Sequence, residues 1–272
     1  MKKLYFLFSF LFIYSLSFGQ LINEFEPNPA GTDPTDTTFE LSGTASSSFD
    51  LWIISLENDG YSGVVDRATN VTGTFDANGL AVVTVPDLEN PSFTVILTDA
   101  FTGAITDDLD ASDDGTLDTS SLGTILDAVG VSDATADDAT MYGNILGGTD
   151  ILYNGEFEPL LVFRDGVTGD WYNTVTVDFG GAGEHVGVFD ASGSGIEINS
   201  VDFDSDPTVT TFGAVNPSYT GLSTNDNIIE GFSLYPNPTS LGYINLKSRT
   251  GNNFDVAVFD VLGKQVLNSK VT

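Results

Sequence analysis

The chain has no cysteine and a single histidine, His185, in 272 residues. The first absence excludes disulfide staples, thiol catalysis and cysteine-ligated zinc, and the second excludes every multi-histidine metal centre. Positive charge is nearly as scarce: 8 Lys and Arg stand against 39 Asp and Glu, for a net charge of −31. From Leu21 to Asn227 the imbalance is sharper, with 36 acids facing only Arg67 and Arg164, a balance of −34. Such a surface repels phosphate backbones and anionic headgroups, because affinity for both depends on Lys and Arg displacing counterions. Nucleic acid is therefore not an expected partner. Divalent cations are the natural counter-charge, although solubility accounts for most of the acids. Long apolar runs are confined to Leu4–Leu16, too short for a comfortable membrane span, so no span is expected in the mature chain.

That run has the marks of an export signal. Lys2 and Lys3 form a positive n-region, Leu4–Leu16 the apolar core, and Ser17 and Gly19 the small residues before Gln20. Residues 1–19 read as a signal peptide, cleaved after Gly19, that directs the chain to the periplasm. With no cysteine at the junction, a lipoprotein anchor is excluded. The mature chain divides into a cargo domain at 20–222, a linker at 223–231 and a C-terminal module at 232–272.

The cargo pattern is overwhelmingly β. Runs rich in Val, Ile, Thr and Phe recur at 21–25, 37–41, 51–56, 70–75, 80–85, 93–98, 124–129, 160–163, 171–177, 185–189 and 196–201. Turn signals such as Asp76–Gly79 and Asp165–Gly166 punctuate them. Only Ala134–Met141 has the length and composition for a short helix. Many short strands at this spacing predict an all-β, immunoglobulin-like sandwich with long acidic loops. About 200 residues suffice for one real core.

The C-terminal module carries the most specific signal. Phe232, Leu234, Tyr235, Pro236, Asn237 and Pro238 precede the run Tyr243–Leu246, and VAVFDVLGKQV follows at Val256–Val266, with a turn at Gly263. This stretch resembles the C-terminal sorting domain of the type IX secretion system of Bacteroidetes. The resemblance implies recognition by the type IX machinery, release or attachment at the cell surface, and a small partial β-sandwich at the C-terminus. The family pattern continues with further strands, so the sequence reads as truncated within that domain. A sorting tail says nothing of what its cargo does.

A second resemblance covers most of residues 21–220. Ile22, Asn23 and Glu24 open the first strand, and Phe39, Glu40 and Leu41 follow a Gly- and Asp-rich loop. Later come LTDAFTGAITDDLDASDDGTLD, ILDAVGVSD, VFRDGVTGDWYN and FGAVNPSY. In this order the motifs are similar to bacterial lamin-tail-like domains, which implies a sandwich acting as a binding or accessory module beside secreted enzymes. The long insertion EPNPAGTDPTDT after the first strand departs from that pattern.

The sharpest chemistry lies between Thr106 and Ser121. Asp110, Ser112, Asp114 and Asp118 supply oxygens at spacings like the first half of an EF-hand loop, Thr116 offers its carbonyl, Gly115 permits the tight turn and Leu117 tethers it. Calcium takes six to eight hard oxygens, which a coiled acidic loop can aim inward. Ser121 replaces the usual bidentate Glu, so Asp107, Asp108 or Asp127 would have to complete the set, with Asp108 the nearest. Ten aspartates fall between Asp107 and Asp138 with no Lys or Arg among them, and their repulsion favours a cation or well-solvated spacing. Asp202, Asp204 and Asp206 alternate as on the outward face of a strand.

Catalytic patterns are thin. His185 with Ser192 or Ser194, and Glu156 with Glu158, are the available pairings, while Arg164 and Asp165 suit a loop contact. Trp52, Trp171 and Tyr172 suit a core better than a sugar platform. Asp36–Thr38 resembles an O-glycosylation signal at Thr37. The sequence thus reads as a secreted or cell-surface, calcium-stabilised module, non-enzymatic, with an extracellular glycan or protein as partner. The alternative is a small secreted hydrolase acting on polysaccharide.

Overall fold

The computed structural model describes residues 19–32, 34–58, 62–88, 92–221, 232–235, 245–248, 254–259 and 264–271. The expected signal peptide up to Phe18, the linker 223–231, and Pro236, Asn237, Pro238 and Gly263 of the tail lie outside the described residues. The chain forms two compact units, residues 1–221 and 222–272.

The first unit is an all-β sandwich. Its strands are β1 (Leu21–Phe25), β2 (Asp36–Ser42), β3 (Ser48–Glu57), β4 (Val65–Thr74), β5 (Leu80–Pro86) and β6 (Phe93–Thr98), followed by β7 (Ile125–Val131), β8 (Thr149–Ile151), β9 (Leu161–Arg164), β10 (Trp171–Val177) and β11 (His185–Asp190). One sheet has the order β11-β10-β9-β1-β2-β5, the other β4-β3-β6-β7-β8. Every pairing is antiparallel except β7 with β8.

Alternation along the strands builds the core. Phe49, Leu51 and Ile53 of β3 and Phe93, Val95 and Leu97 of β6 face Ile22, Phe25, Phe39 and Leu41 of the opposite sheet. Ile22 and Phe25 are three apart, which a regular strand would send to opposite faces. A register shift between Ile22 and Glu24 corrects the phase, so both reach the core. Phe25 stacks on Phe39 with centroids 4.7 Å apart.

Both outer faces are covered as well, which explains why β6 is buried at all six positions. The segment before β7 lays Leu109, Leu117 and Leu122 against Ile54, Leu56, Val65 and Ile96 of the five-stranded sheet. On the six-stranded sheet, Phe203 and Tyr219 cover Phe163, Tyr172 and Val188.

One polar contact ties the sheets together through the core. Nη2 of Arg164 on β9 donates to both carboxylate oxygens of Asp127 on β7, at 3.0 and 2.8 Å, Nε donates to the Ile22 carbonyl at 2.9 Å, and the guanidinium lies 4.5 Å above the Trp171 ring. Asp127 also accepts the Ile22 N–H at 2.9 Å. Arg164 was expected to serve a loop contact with Asp165; instead Asp165 accepts N–H groups from Val167, Thr168 and Tyr219. Burial tends to raise the Asp165 carboxyl, but these three donors hold it below its ordinary range.

Other expectations are corrected. Residues 196–201 form no strand: after a single bridge from Ile198 to Val188, the Asn199 side chain accepts the Val201 N–H and caps a 3₁₀ turn at Ser200–Asp202. Asp202, Asp204 and Asp206 therefore do not share a strand face. Ala134–Met141 is a run of turns, because the Thr140 hydroxyl donates to the Asp137 and Asn58 carbonyls in place of helix continuation. The three-residue β8 falls below the length that alternation can signal. The second unit contains two antiparallel pairs, β12 (Phe232–Tyr235) with β13 (Asn245–Ser248) and β14 (Phe254–Phe259) with β15 (Gln265–Val271).

Breaking the buried pair leaves one charge without its partner. Asp127→Ala should cost about 3–5 kcal/mol in urea unfolding, whereas Asp127→Leu combined with Arg164→Met should cost markedly less. An Asp127→Ala loss below about 1 kcal/mol contradicts the assigned role.

Candidate functional site

The acidic loop between β6 and β7 winds around one buried carboxylate. Asp110 is fully buried. It accepts the Asp114 N–H at 3.2 Å, the Gly115 N–H at 2.7 Å and the Tyr142 hydroxyl at 2.8 Å. The chain turns at Asp113 with φ 51° and Gly115 with φ 82°, and a free Cβ is least costly to omit at the latter. Gly63 approaches from the other side: a Cβ built there would lie 2.7 Å from the Asp110 Cβ and 3.1 Å from the Tyr142 hydroxyl. Burial and the hydrogen bond to Asp110 raise the Tyr142 phenol well above its ordinary value, so it stays protonated as the donor.

The carboxylates of the other expected ligands have backbone partners of their own. The Asp108 carboxylate accepts the Asp110 N–H, Asp114 accepts that of Thr116, and Asp118 accepts that of Ser120. Hydrogen bonds from Thr116 and from Ser120 hold the exposed Asp114 and Asp118 carboxyls below their ordinary values. Ser112 and Thr116 are exposed. Asp107 caps Ala104, and Asp127, one of the residues expected to complete the set, is committed to Arg164 in the core. Among the described residues no group of three or more Asp, Glu or His is placed to hold a metal ion. Tyr142 and Gly63, the residues that close the loop, lie far from it in sequence and carried no local signal.

Elsewhere the acids tie loops to strands. Glu24 accepts the Thr211 N–H and hydroxyl at 2.8 and 2.9 Å, and Glu40 accepts the Gly213 N–H at 2.5 Å. Asn216 donates to the carbonyls of Asn23 and Arg164. Residues 211–216 are thereby fastened over β1 and β2. Burial drives Glu24 up to about 7, against the Thr211 bonds and with help from the nearby Glu40 and Glu26 charges.

His185 and Ser192 are not brought together as a catalytic pair. His185 contacts the Gly183 carbonyl and, at 2.8 Å, Glu197; those contacts raise its pKa on the exposed surface. Ser192 lies past the other end of β11 and bonds to Asp190. Trp171 and Tyr172 are buried, and Trp52 packs against Phe101. Thr37 is 2 % exposed; its hydroxyl donates to Asp87 and accepts the Leu88 N–H, so a glycan there would displace both bonds. An open cavity of about 450 Å³ beside Trp171 is lined by Asp170, Tyr172, Asp190 and Ser192.

The tail is settled by comparison. Residues 233–272 match the family described as the secretion system C-terminal sorting domain. The chain carries a type IX secretion sorting tail. Export by that system in Bacteroidetes follows, to the medium or the cell surface, with the type IX machinery as a partner. The sorting residues Phe232, Leu234 and Tyr235 lie on β12. No helix among the described residues is long and apolar enough to cross a membrane. No curated protein and no solved structure matches the chain.

The Glu24 clasp makes stability depend on pH. A carboxyl whose folded pKa exceeds its unfolded value stabilises below the unfolded pKa, and that contribution is lost as pH rises through the folded pKa. For Glu24 the window runs from 4.5 to about 7. Between pH 5 and pH 8 the wild type should lose up to about 3 kcal/mol more than Glu24→Gln. Parallel pH–stability curves for the two proteins would count against it.

Proposed function

We propose that the type IX cargo is a non-catalytic binding module, similar to a lamin-tail-like sandwich, whose acidic loop takes up calcium once outside the cell. The observation that carries the reading is the use made of buried carboxylates. Glu24, Glu40 and Asp127, all raised by burial, are spent on fastening loops and sheets. A general acid needs such a raised carboxyl at an open cleft.

A polysaccharide hydrolase is the second reading, and the cavity beside Trp171 with Asp170 and Asp190 is what favours it. Its lining includes none of the carboxyls that burial raises among the described residues. Arg164 already covers the Trp171 ring that a sugar would stack on.

Calcium is supported by the winding of the loop around Asp110, the positive φ of Gly115 and the exposure of Asp108, Asp114 and Asp118. Uptake would require those three carboxylates to exchange backbone N–H partners for the ion. That exchange places the affinity in the weak range of extracellular modules, about 10⁻⁴ to 10⁻³ M.

Two experiments test these statements. Deleting residues 233–272 should abolish delivery to the medium and the cell surface, as judged by immunoblot of fractions; unchanged delivery would mean another export route. For the loop, calcium at about 100 times its dissociation constant should add about 2.7 kcal/mol to unfolding, raising the melting temperature by several degrees. Asp114→Asn with Asp118→Asn should remove most of that rise and leave the metal-free melt equal or slightly lower, since the Thr116 and Ser120 N–H groups lose charged acceptors. A wild-type melt indifferent to calcium leaves the loop closed by its own donors.

A further inference from the structure

At one end of the six-stranded sheet, three loops converge: residues 26–32 after β1, 152–160 before β9 and 178–184 after β10. They present two phenylalanines to solvent. Phe157 is 47 % exposed and Phe179 is 67 % exposed, with ring centroids 5.2 Å apart and planes inclined at 55°. The rings border a cavity of about 250 Å³ that Asn28, Glu158, Leu160 and Thr176 also line. Ordinary soluble surfaces scatter their exposed aromatics singly. Here two loops distant in sequence bring a pair together.

The loops that hold the rings are internally braced. In the β10–β11 turn, Asp178 adopts φ 55° and accepts the Gly183 N–H, while Glu184 accepts the Gly180 N–H at 2.6 Å. In the neighbouring loop, the Tyr153 hydroxyl donates to the Glu156 carbonyl at 2.6 Å, and Glu156 N–H donates to the Asn154 side chain at 3.0 Å. The Asn28 amide donates to Glu158, and its backbone N–H donates to the Pro159 carbonyl at 3.2 Å, joining the first loop to the second. Bracing of this kind keeps aromatic rings in solvent when collapse onto the sheet would otherwise hide them.

Charge selects the occupant. Glu158 lines the cavity beside the rings, Glu26, Glu156, Asp178 and Glu184 belong to the same three loops, and none of these loops contains Lys or Arg. The two arginines of the cargo are engaged elsewhere, Arg164 with Asp127 and Arg67 with Asp66 and the Asp87 carbonyl. A second copy of this chain, at net charge −31, would be repelled. A cavity this small suits one long side chain better than a drug-sized ligand. A basic side chain satisfies both halves of the site, its apolar stem against the rings and its cationic head over a ring face and beside Glu158.

We infer that the Phe157–Phe179 pair is a docking site for an arginine or lysine side chain of a partner protein. This rests on reading the cargo as a binding module and names the partner chemistry of that module.

The test uses the full chain, a double variant of unchanged charge and a variant that lacks one carboxylate. Titration calorimetry would compare a capped Gly-Gly-Arg-Gly-Gly peptide with its citrulline counterpart, which keeps the shape and removes the charge. Phe157→Ala with Phe179→Ala leaves the net charge untouched, and because both rings are exposed its melting temperature should stay near that of wild type. The expected result is saturable binding of the arginine peptide, weakened at least about tenfold by the double substitution and similarly by citrulline. Glu158→Gln, which preserves an acceptor for Asn28, should weaken it less. Equal binding to wild type and the double variant would reduce the effect to the general acidic field and overturn the site. Equal binding of the citrulline peptide, or no saturable binding of either peptide, would overturn it too. A neutral oligosaccharide that binds instead, in a manner dependent on both phenylalanines, overturns this inference while leaving the binding-module reading intact; bond cleavage in that oligosaccharide removes the module reading itself.

Discussion

The sandwich depends on one largely buried cation. Arg164 binds Asp127 of the opposite sheet, the Ile22 carbonyl of a neighbouring strand and the Trp171 ring at once. Each of these partners has a cost of burial that the others offset. Asp127 is raised by desolvation even with Arg164 beside it, so burial remains the larger effect and the pair's geometry has to be held by the strands around it. The backbone of Ile22 supplies both a donor to Asp127 and an acceptor to Arg164, which sets where β1 lies against β7. Because Ile22 and Phe25 reach the core only through the register shift between them, the position of β1 and the packing of the core are settled together.

An exported chain without cysteine needs such contacts more than most. Disulfides would have restricted its unfolded state; here the equivalent restraints act in the folded state, through side chains that cross between layers. Glu24 and Glu40 reach Thr211 and Gly213. Asp110 gathers two backbone N–H groups and a tyrosine hydroxyl. Asp165 gathers three N–H groups, one of them from Tyr219. The acids that give the chain its charge thus divide into two populations: those outside serve solvation, and those inside replace cross-links. Polar clasps of this kind are sensitive to protonation in a way that disulfides are not, which links the acidity of the composition to a pH-dependent fold.

The sandwich was legible in the sequence because alternation is a local property. Phe49, Leu51 and Ile53 announce an inward face, and Asp76–Gly79 announces the turn between β4 and β5, without reference to any other residue. Three kinds of feature were not legible. β8 is three residues long and joins β7 in parallel, so it has neither the length to alternate nor a hairpin turn to mark it. The run at 196–201 has strand composition, but Asn199 offers its side chain to the backbone and a 3₁₀ turn wins. The partner of Arg164 is 37 positions away, and nothing in VFRDG distinguishes a cation bound for the core from one bound for the adjacent Asp165. For the acidic loop, the turn and its tether at Leu117 could be read from spacing, whereas the closure by Tyr142 and Gly63 is tertiary.

The same distinction bears on how this protein meets a partner. Much of each outer sheet face is taken, since Leu109 and Leu122 pack on one and Phe203 and Tyr219 on the other, so the loop ends are surfaces where apolar groups can face solvent at little cost to the core. At the end defined by residues 26–32, 152–160 and 178–184, the chain uses that freedom to expose two phenylalanines beside Glu158. Nothing in the stability of the sandwich requires them there: Phe179 at the tip of the β10–β11 turn could be polar without loss of any core contact. A residue that contributes little to the fold and raises the cost of solvation is best explained by what it contacts outside the molecule. Export by the type IX system would deliver such a surface to the cell exterior, where the basic side chain we infer as its partner would meet the exposed aromatic pair with Glu158 beside it.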